Sequence, residues 1–419
     1  MKLQSSEKGQ ALILIAFAAI GLFAFAALAI DGSMLFSDRR HAQNSADSAA
    51  LAGALAHARG NDITTAATNR ATSNGYQDNG TTKDVTVTIT DAPSGVCPAH
   101  VEGKEITVTI VSTINTTFAR VIGRNQLTNT VTATSRACGT YTGPPFEGNA
   151  IVSLAPSGKG YDGTGTPDWI IEGGGIFSNS SSSNSAYCNG AADITAPSVT
   201  VVGGVDFNCH GVNITGTTTE GADQYSSYTS YAALFPREPA CDGTAYQSGG
   251  QWHPQSGADG STVAFSGDMD FAPGLYCVTN SPGPYHGALT GINVTFYITS
   301  ANFSMKFNGA GNYFNASAPT SGEYDGVLMY FAPQVDANGN LLNTQELDLR
   351  GNGDADIVGS IIAPSADVTM FGNSSESATI NSQIIAYHVD SGGTADIHIE
   401  FVQDDNYQST LPITLTLLK

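Results

Sequence analysis

The sequence predicts a mainly β protein: an N-terminal transmembrane helix with a helical extension, a small α+β unit, and then a β-solenoid-like region. Three observations carry this. Residues 11–30 are an unbroken apolar run, and residues 31–60 continue a helical pattern in small residues. From about residue 141 helix signals vanish, and short apolar strands alternate with Gly, Asn, Asp and Ser turns, two of them recurring at a fixed spacing. The boundaries that follow are 1–10 for a cytoplasmic tail, 11–30 for the membrane helix, 31–60 for its extension, 61–140 for the α+β unit and 141–419 for the solenoid-like ectodomain, interrupted by an irregular excursion at 220–265. Of 419 residues 41% are hydrophobic, enough for a buried core, and only 13% are charged. The formal net charge of −21 excludes nucleic acid as a partner, because neutralising phosphates needs clustered Lys and Arg.

The apolar run ALILIAFAAIGLFAFAALAI, residues 11–30, holds 20 residues without a charge. As a helix rising 1.5 Å per residue it spans about 30 Å, one hydrocarbon core. Lys2 and Lys8 precede it, and Arg39 and Arg40 follow beside Asp31 and Asp38, so charge bias does not set the orientation. Six Cys and a remainder rich in Asn, Ser and Thr suit an oxidising exterior, which places the C-terminal bulk outside the cytoplasm. The competing reading is a cleaved secretory signal ending at Ala27-Leu28-Ala29, but the run exceeds the roughly 7 to 15 apolar residues of such a signal. Beyond it, Met34, Leu35, Ala42, Ala46, Ala49, Ala50, Gly53, Ala54 and Ala56 continue an i, i+3, i+4 stripe. Small residues let backbones approach closely, so the stripe packs either against other subunits or on the chain's own head.

Glu7-Lys8-Gly9-Gln10-Ala11-Leu12, the apolar run, Ala29-Ile30-Asp31-Gly32, Arg39-Arg40, Gln43-Asn44, Ala46-Asp47 and Ala49-Ala50-Leu51-Ala52-Gly53-Ala54 follow in an order that closely resembles the N-terminus of TadG-like proteins of bacterial tight-adherence (Flp) pilus assembly. The resemblance covers about 50 residues. It implies a bacterial cytoplasmic membrane protein crossing once, a pilin-like head after the helix, and other pilus-assembly subunits as partners. Related pilins place Glu five residues after a cleavage Gly; here Leu14 stands five after Gly9, so prepilin processing is not expected. Asp31-Gly32-Ser33-Met34-Leu35 lacks the Asp-x-Ser-x-Ser metal motif of the von Willebrand A domain carried by larger members, and no such domain is expected.

In the α+β unit, residues 61–83 are polar, and VTVTIT (85–90) and ITVTI (106–110) alternate with period two as half-buried strands. A short helical segment at 118–123 precedes a further strand, VTAT, at 131–134. In the long C-terminal region Asp356-Ile357-Val358-Gly359-Ser360-Ile361-Ile362-Ala363 recurs 23 residues later as Thr379-Ile380-Asn381-Ser382-Gln383-Ile384-Ile385-Ala386. Leu347-Asp348-Leu349 recurs 21 residues later as Val368-Thr369-Met370 and more faintly from Val389. Two strand types at one repeat length fit a parallel β-solenoid whose inward Ile, Leu and Val stack from coil to coil, beginning near residue 170. An antiparallel sandwich is the alternative.

The disulfide candidates are Cys97, Cys138, Cys188, Cys209, Cys241 and Cys277. Cys97 lies between the first two strands and Cys138 follows the last, so a bridge between them would staple the sheet. The other four permit three pairings. Neighbour pairing is preferred, because a repeat of 21 residues sets Cys188 and Cys209 one above the other and Cys241 with Cys277 closes the excursion. No C-x-x-C occurs, which argues against zinc.

No catalytic, cofactor-binding or metal-binding residue is assigned. Gly351-Asn352-Gly353-Asp354-Ala355-Asp356 has the composition of a calcium-binding turn, in one copy, but Asx corners between solenoid strands explain it as well. Asp268 with Asp270 and Asp404 with Asp405 are weaker still. β-Solenoids also carry polysaccharide-cleaving enzymes that use carboxylates on one face, and Asp367 and Asp390 fall at similar repeat positions with His388 between them. Neither has a Lys or Arg nearby in sequence. Motifs for zinc proteases, Gly-x-Ser-x-Gly hydrolases and phosphate-binding loops do not occur. Tyr225, Tyr228, Tyr231, Phe235, Tyr246, Trp252, Tyr276 and Tyr285 gather around the excursion, where they either bind a sugar or protein ligand or cover the solenoid. The expected function is a membrane-anchored surface protein of a tight-adherence pilus system, in assembly or adhesion and without catalysis. The alternatives are a carbohydrate-active enzyme on a β-solenoid and a generic cell-envelope structural protein.

Overall fold

The computed structural model describes residues 8–93, 96–97, 101–216, 218–220, 228–307, 312–349, 356–372, 378–411 and 413–418. The chain forms two compact units, residues 1–141 with 412–419, and residues 142–411.

In the first unit one helix, α1 (Lys8–Ala58), runs without a break from the apolar segment into its extension. No Pro or helix-ending Gly interrupts the sequence there, and Ala dominates it. Residues of α1 from Ile13 onward are long and apolar enough to cross a membrane, and none of that apolar window is buried. A second helix, α2 (Ile63–Ser73), occupies part of the polar stretch that the strand pattern leaves unassigned. Its start is set by Asp62, whose Oδ1 accepts from the Thr65 N–H at 2.6 Å. Strands β1 (Lys83–Asp91), β2 (Gly103–Asn115) and β3 (Gln126–Cys138) form an antiparallel sheet. Ile110 lies opposite both Val85 and Val131, so period-two alternation puts Val and Ile toward the helices. The Thr residues take the other face, where Thr107 meets Thr134 at 2.9 Å and Thr113 meets Thr128 at 3.0 Å.

The small-residue stripe lies on this sheet. Ala42, Ala46, Ala49, Ala50 and Ala54 are fully buried with Ile106, Val108, Ile110, Ala133 and Ala137. At Gly53 an added Cβ would stand 3.0 Å from the Ile106 side chain. The stripe therefore packs on the chain's own head, and its smallness brings helix and sheet close together. The segment at 118–123 is a single 3-10 turn, Ala119–Ile122, ended by Gly123 at φ 84°. Cys97 is bonded to Cys138.

The second unit is a parallel β-solenoid with three strand rows. Its first row stacks Tyr276, Phe296, Met329, Ile361, Ile384, Ile151, Ile176 and Val199 in register, all buried. Its second stacks Met305, Leu347, Val368, Val389, Tyr161 and Ala186. Its third includes Ala316, Ile357, Ile380, Ile399 and Ile171. The repeats legible in the sequence are coil neighbours: Ile357 opposes Ile380, Ile361 opposes Ile384 and Leu347 opposes Val368.

The order of coils differs from the order of the chain. Ile384 pairs with Ile151, Val389 with Tyr161 and Ile397 with Trp169, so the last coil sits directly on the first. The chain enters mid-stack and builds outward to the strand Thr218–Glu220. It then resumes at the opposite end with Gly243–Thr244 and stacks back to its starting point. Coils thus begin at Ile151, ahead of residue 170, and Gly243–Thr244, Gln251–His253 and Ser261–Val263, inside the sequence-defined excursion, already pair with coil strands. The last strand, Thr414–Leu417, leaves the coils and pairs with β3, where Leu417 opposes Ser135. The whole solenoid is an insertion between two neighbouring strands of the first unit. Cys188 is bonded to Cys209 between adjacent coils, and Cys241 to Cys277.

Candidate functional site

The first candidate is the junction where α1 leaves its apolar segment. Asp31, the first residue after the run, is buried, and its carboxylate accepts from the backbone N–H groups of Thr117 at 2.8 Å, Phe118 at 3.0 Å and Ala119 at 2.6 Å. Burial works to raise this carboxyl, but the three donors and the nearby Arg120 outweigh it and hold it below its ordinary range. Seven residues on, close to two helical turns, Asp38 faces the same side. It accepts from Tyr76 Oη at 3.0 Å, Ser112 Oγ at 3.1 Å and Asn129 Nδ2 at 2.8 Å. Burial, reinforced by Asp38, pushes the Tyr76 phenol well above its usual value, so it stays a donor. Ser135 Oγ closes the contact further along by donating to the Ala50 carbonyl at 2.7 Å. These bonds fasten the end of the apolar segment to the sheet rather than perform chemistry. From the sequence Asp31 stands out as a charge near the membrane and as part of the TadG-like pattern, and Asp38 as a charge alone; their bonds were not legible because the partners lie 38 to 91 residues away.

The second candidate is the polar outer side of the solenoid's second strand row. Glu346, Asp367 and His388 lie in register, as do Thr369, Asp390, Asp162 and Tyr187. Asp367 and Asp390 are therefore brought close but sit two positions apart. Asp367 Oδ1 meets His388 Nδ1 at 2.9 Å and accepts from Asn343 Nδ2 at 2.9 Å. Lys159 pairs with Asp162 at 2.9 Å, and its ammonium stands 3.5 Å from the Tyr187 ring centre. The absence of a cation near Asp390 in sequence is thus overturned in space, because stacking the first coil on the last delivers Lys159. Half-burial, then the charges of Asp162 and Asp367, push the Asp390 carboxyl up to about 6, with His388 and Lys159 opposing. The arrangement can hold one proton near neutral pH and form hydrogen bonds along a ladder of carboxylates.

Among the described residues no group of three or more His, Cys, Asp or Glu is placed to hold a metal ion. The calcium-like turn lies outside the described residues except Asp356, as does Tyr225. Asp268 and Asp270 serve neighbouring coils: Asp268 accepts from the Ala288 N–H at 2.9 Å, and Asp270 from Thr290 Oγ1 at 2.7 Å. Asp405 accepts from Asn381 Nδ2 at 2.7 Å.

Most of the aromatic cluster is packing. Tyr276 and Tyr285 are inside the coils. Tyr228, Tyr231 and Phe235 cover an outward ladder of Cys277, Tyr297, Tyr330, Ile362, Ile385, Val152 and Phe177. The first strand row is thereby buried on both sides. Arg237 pins this strap, reaching Asp259 and Glu323 at 2.7 Å each. Trp252 packs against the core, and Tyr246, 53% exposed, stacks on His253 at 5.6 Å. Among the described residues the contact face suggested by residue type reduces to that one stacked pair, because the other described rings pack on apolar strands.

Residues 9–57 match the family model described as putative Flp pilus-assembly TadE/G-like. The matched segment is α1 from its start to its last turn, and it contains Asp31, Asp38 and the buried alanine stripe. No curated protein and no solved structure matches the chain.

Proposed function

We propose that this chain is a membrane-anchored surface component of a tight-adherence (Flp) pilus system, with its coils outside the cytoplasm, acting in assembly or adhesion without catalysis. The observation that carries it is the TadE/G-like match over a helix whose exit residue, Asp31, is bonded to the loop between β2 and β3. A helix fastened in this way transmits force between a bilayer and a folded unit. Three disulfides and no free cysteine favour an oxidising compartment for both units. Residues 142–411 carry 27 Asp and Glu against 4 Lys and Arg, a surface that repels nucleic acid and stays soluble. Stacked coils form a rigid scaffold for display.

Two measurements test the proposal. Protease added to intact cells, or to spheroplasts where an outer membrane is present, should remove the chain beyond about residue 60; a protected C-terminus reverses the topology. Deletion of the gene should reduce piliation or surface attachment; unchanged piliation and attachment leave only an anchored envelope protein. A second reading, a polysaccharide-cleaving enzyme, draws on Asp162, Asp390, His388 and Lys159 converging on one strand row. Turnover of a polysaccharide by the full chain that disappears on Asp367→Ala or Asp390→Ala promotes it over the first.

A further inference from the structure

We propose that the loop of residues 116–124 is a second membrane contact, seating Phe118 and Val121 in the headgroup layer while Arg120 and Arg124 bind the phosphates of anionic lipids. This rests on reading residues 11–30 as the membrane anchor.

Position is the first argument. Asp31 ends the apolar run, and three consecutive backbone N–H groups of the loop, from Thr117 to Ala119, hydrogen-bond its carboxylate within 3.0 Å. The loop is therefore held at the level where the helix leaves hydrocarbon. A bilayer surrounds the helix on every side, so this height alone brings the loop to the lipid surface.

Exposure is the second. Val121 is 86% exposed and Phe118 42%, although the backbone N–H groups of Phe118, Ala119 and Val121 are all hydrogen-bonded. Phe36, on the first turns of α1 beyond Asp31, is 67% exposed. Single exposed apolar residues are ordinary on a protein surface. Apolar side chains at the exit of a membrane helix extend an existing lipid contact, because each one buried in the interface removes apolar area from water.

Charge is the third. The net charge is −21, yet residues 31–43 and 116–124 together carry Arg39, Arg40, Arg120 and Arg124 against two acids: Asp31, which is occupied by the loop's own N–H groups, and Asp38, which is occupied by Tyr76, Ser112 and Asn129. Arg120 uses Nε and Nη2 on the Thr116 carbonyl, at 3.1 and 3.0 Å, which orients its guanidinium and leaves N–H donors for phosphate. Arg39 and Arg40 stand roughly 12 to 14 Å further along the helix axis. There they line an open cleft with Phe36 and Gln43 and remain within about a Debye length of the headgroups. A membrane contact from both helix and loop restrains the tilt and rotation of the first unit about its anchor.

The test uses the full chain reconstituted into vesicles of equal parts phosphatidylglycerol and phosphatidylcholine. All six native cysteines are bonded, so a single added cysteine takes a fluorescent label selectively. Labels at Val121→Cys, Phe23→Cys in the anchor and Asn61→Cys on the exposed turn after the far end of α1 are compared for quenching by an aqueous quencher and by lipid-borne nitroxides. The expected result is a deep Phe23 position, a Val121 position that loses aqueous quenching and gains quenching from shallow nitroxides, and an Asn61 position that stays wet. A deep Phe23 label with a Val121 label as wet as Asn61 overturns this inference and leaves the anchor intact. A wet Phe23 label removes the anchor and this inference together. Arg120→Gln with Arg124→Gln, or vesicles of phosphatidylcholine alone, should weaken the shielding at Val121; unchanged shielding in both overturns the claim for anionic lipid.

Discussion

Placing cysteines at Ser153 and Ala386 tests the order of the coils, the feature on which the insertion of the solenoid depends. These residues are 233 apart in sequence and in register on adjacent strands, both buried and small enough that sulfur replaces little volume. Neighbouring strands lie about 4.8 Å apart, inside the roughly 4.4 to 6.8 Å range between Cα atoms that a disulfide spans. If the coils were stacked in chain order, about ten strand spacings would separate the two positions, roughly 48 Å, and no bond could form without unfolding. Oxidation of the purified Ser153→Cys, Ala386→Cys chain should therefore give a seventh and eighth bonded cysteine, located by mass spectrometry of non-reduced peptides. Loop-closure entropy for so long a loop sets a ceiling of about 5 kcal/mol on the stabilisation, which strain in the native core will reduce. A rise in the urea midpoint on oxidation, reversed by reductant, is the expected reading. Two free thiols in a folded, coil-containing chain would falsify the permuted order.

Phe296→Ala should cost about 3 to 5 kcal/mol, read as a fall in urea midpoint, because its fully buried ring packs against Phe271 at 5.0 Å and Phe265 at 5.3 Å and its removal leaves a cavity among them. Asp390→Asn should stabilise the solenoid by about 1 kcal/mol at pH 7.5, allowing for partial solvent screening. The Asp390 carboxyl is raised to about 6, so the native state holds its proton more tightly and stability falls as pH rises from about 4 through 6; the advantage of the Asn variant should vanish at pH 4. Asp31→Asn should lower the melting temperature of the first unit at neutral pH. Its carboxyl is depressed by hydrogen bonds made to the charged form, so this contribution is present above the ordinary carboxylate value and the gap to the wild type should close as pH falls below it. A gap that persists unchanged at low pH contradicts that role for the charge.

Features that depend on neighbours along the chain are legible in the residues alone. The 20-residue apolar run, the period-two strands of the first sheet and the repeats of 21 and 23 residues are local patterns, and local patterns fix which residues face inward and how long a coil is. The same repeat brought Cys188 within reach of Cys209. The helix Ile63–Ser73 escaped notice because its polar face outweighs its two buried residues, Ala67 and Ala71. Which coil stacks on which is settled by long-range pairing instead. Every coil offers its neighbour the same parallel edge and the same column of inward apolar side chains, so sequence similarity between coils cannot distinguish consecutive stacking from the closure of residue 384 onto residue 151. That closure brings Lys159 and Asp162 beside Asp390 and frees Thr414–Leu417 to return to β3. The junction at Asp31 was hidden for the same reason: a carboxylate reads as a solvated charge until the fold brings three backbone donors to it from more than 80 residues away.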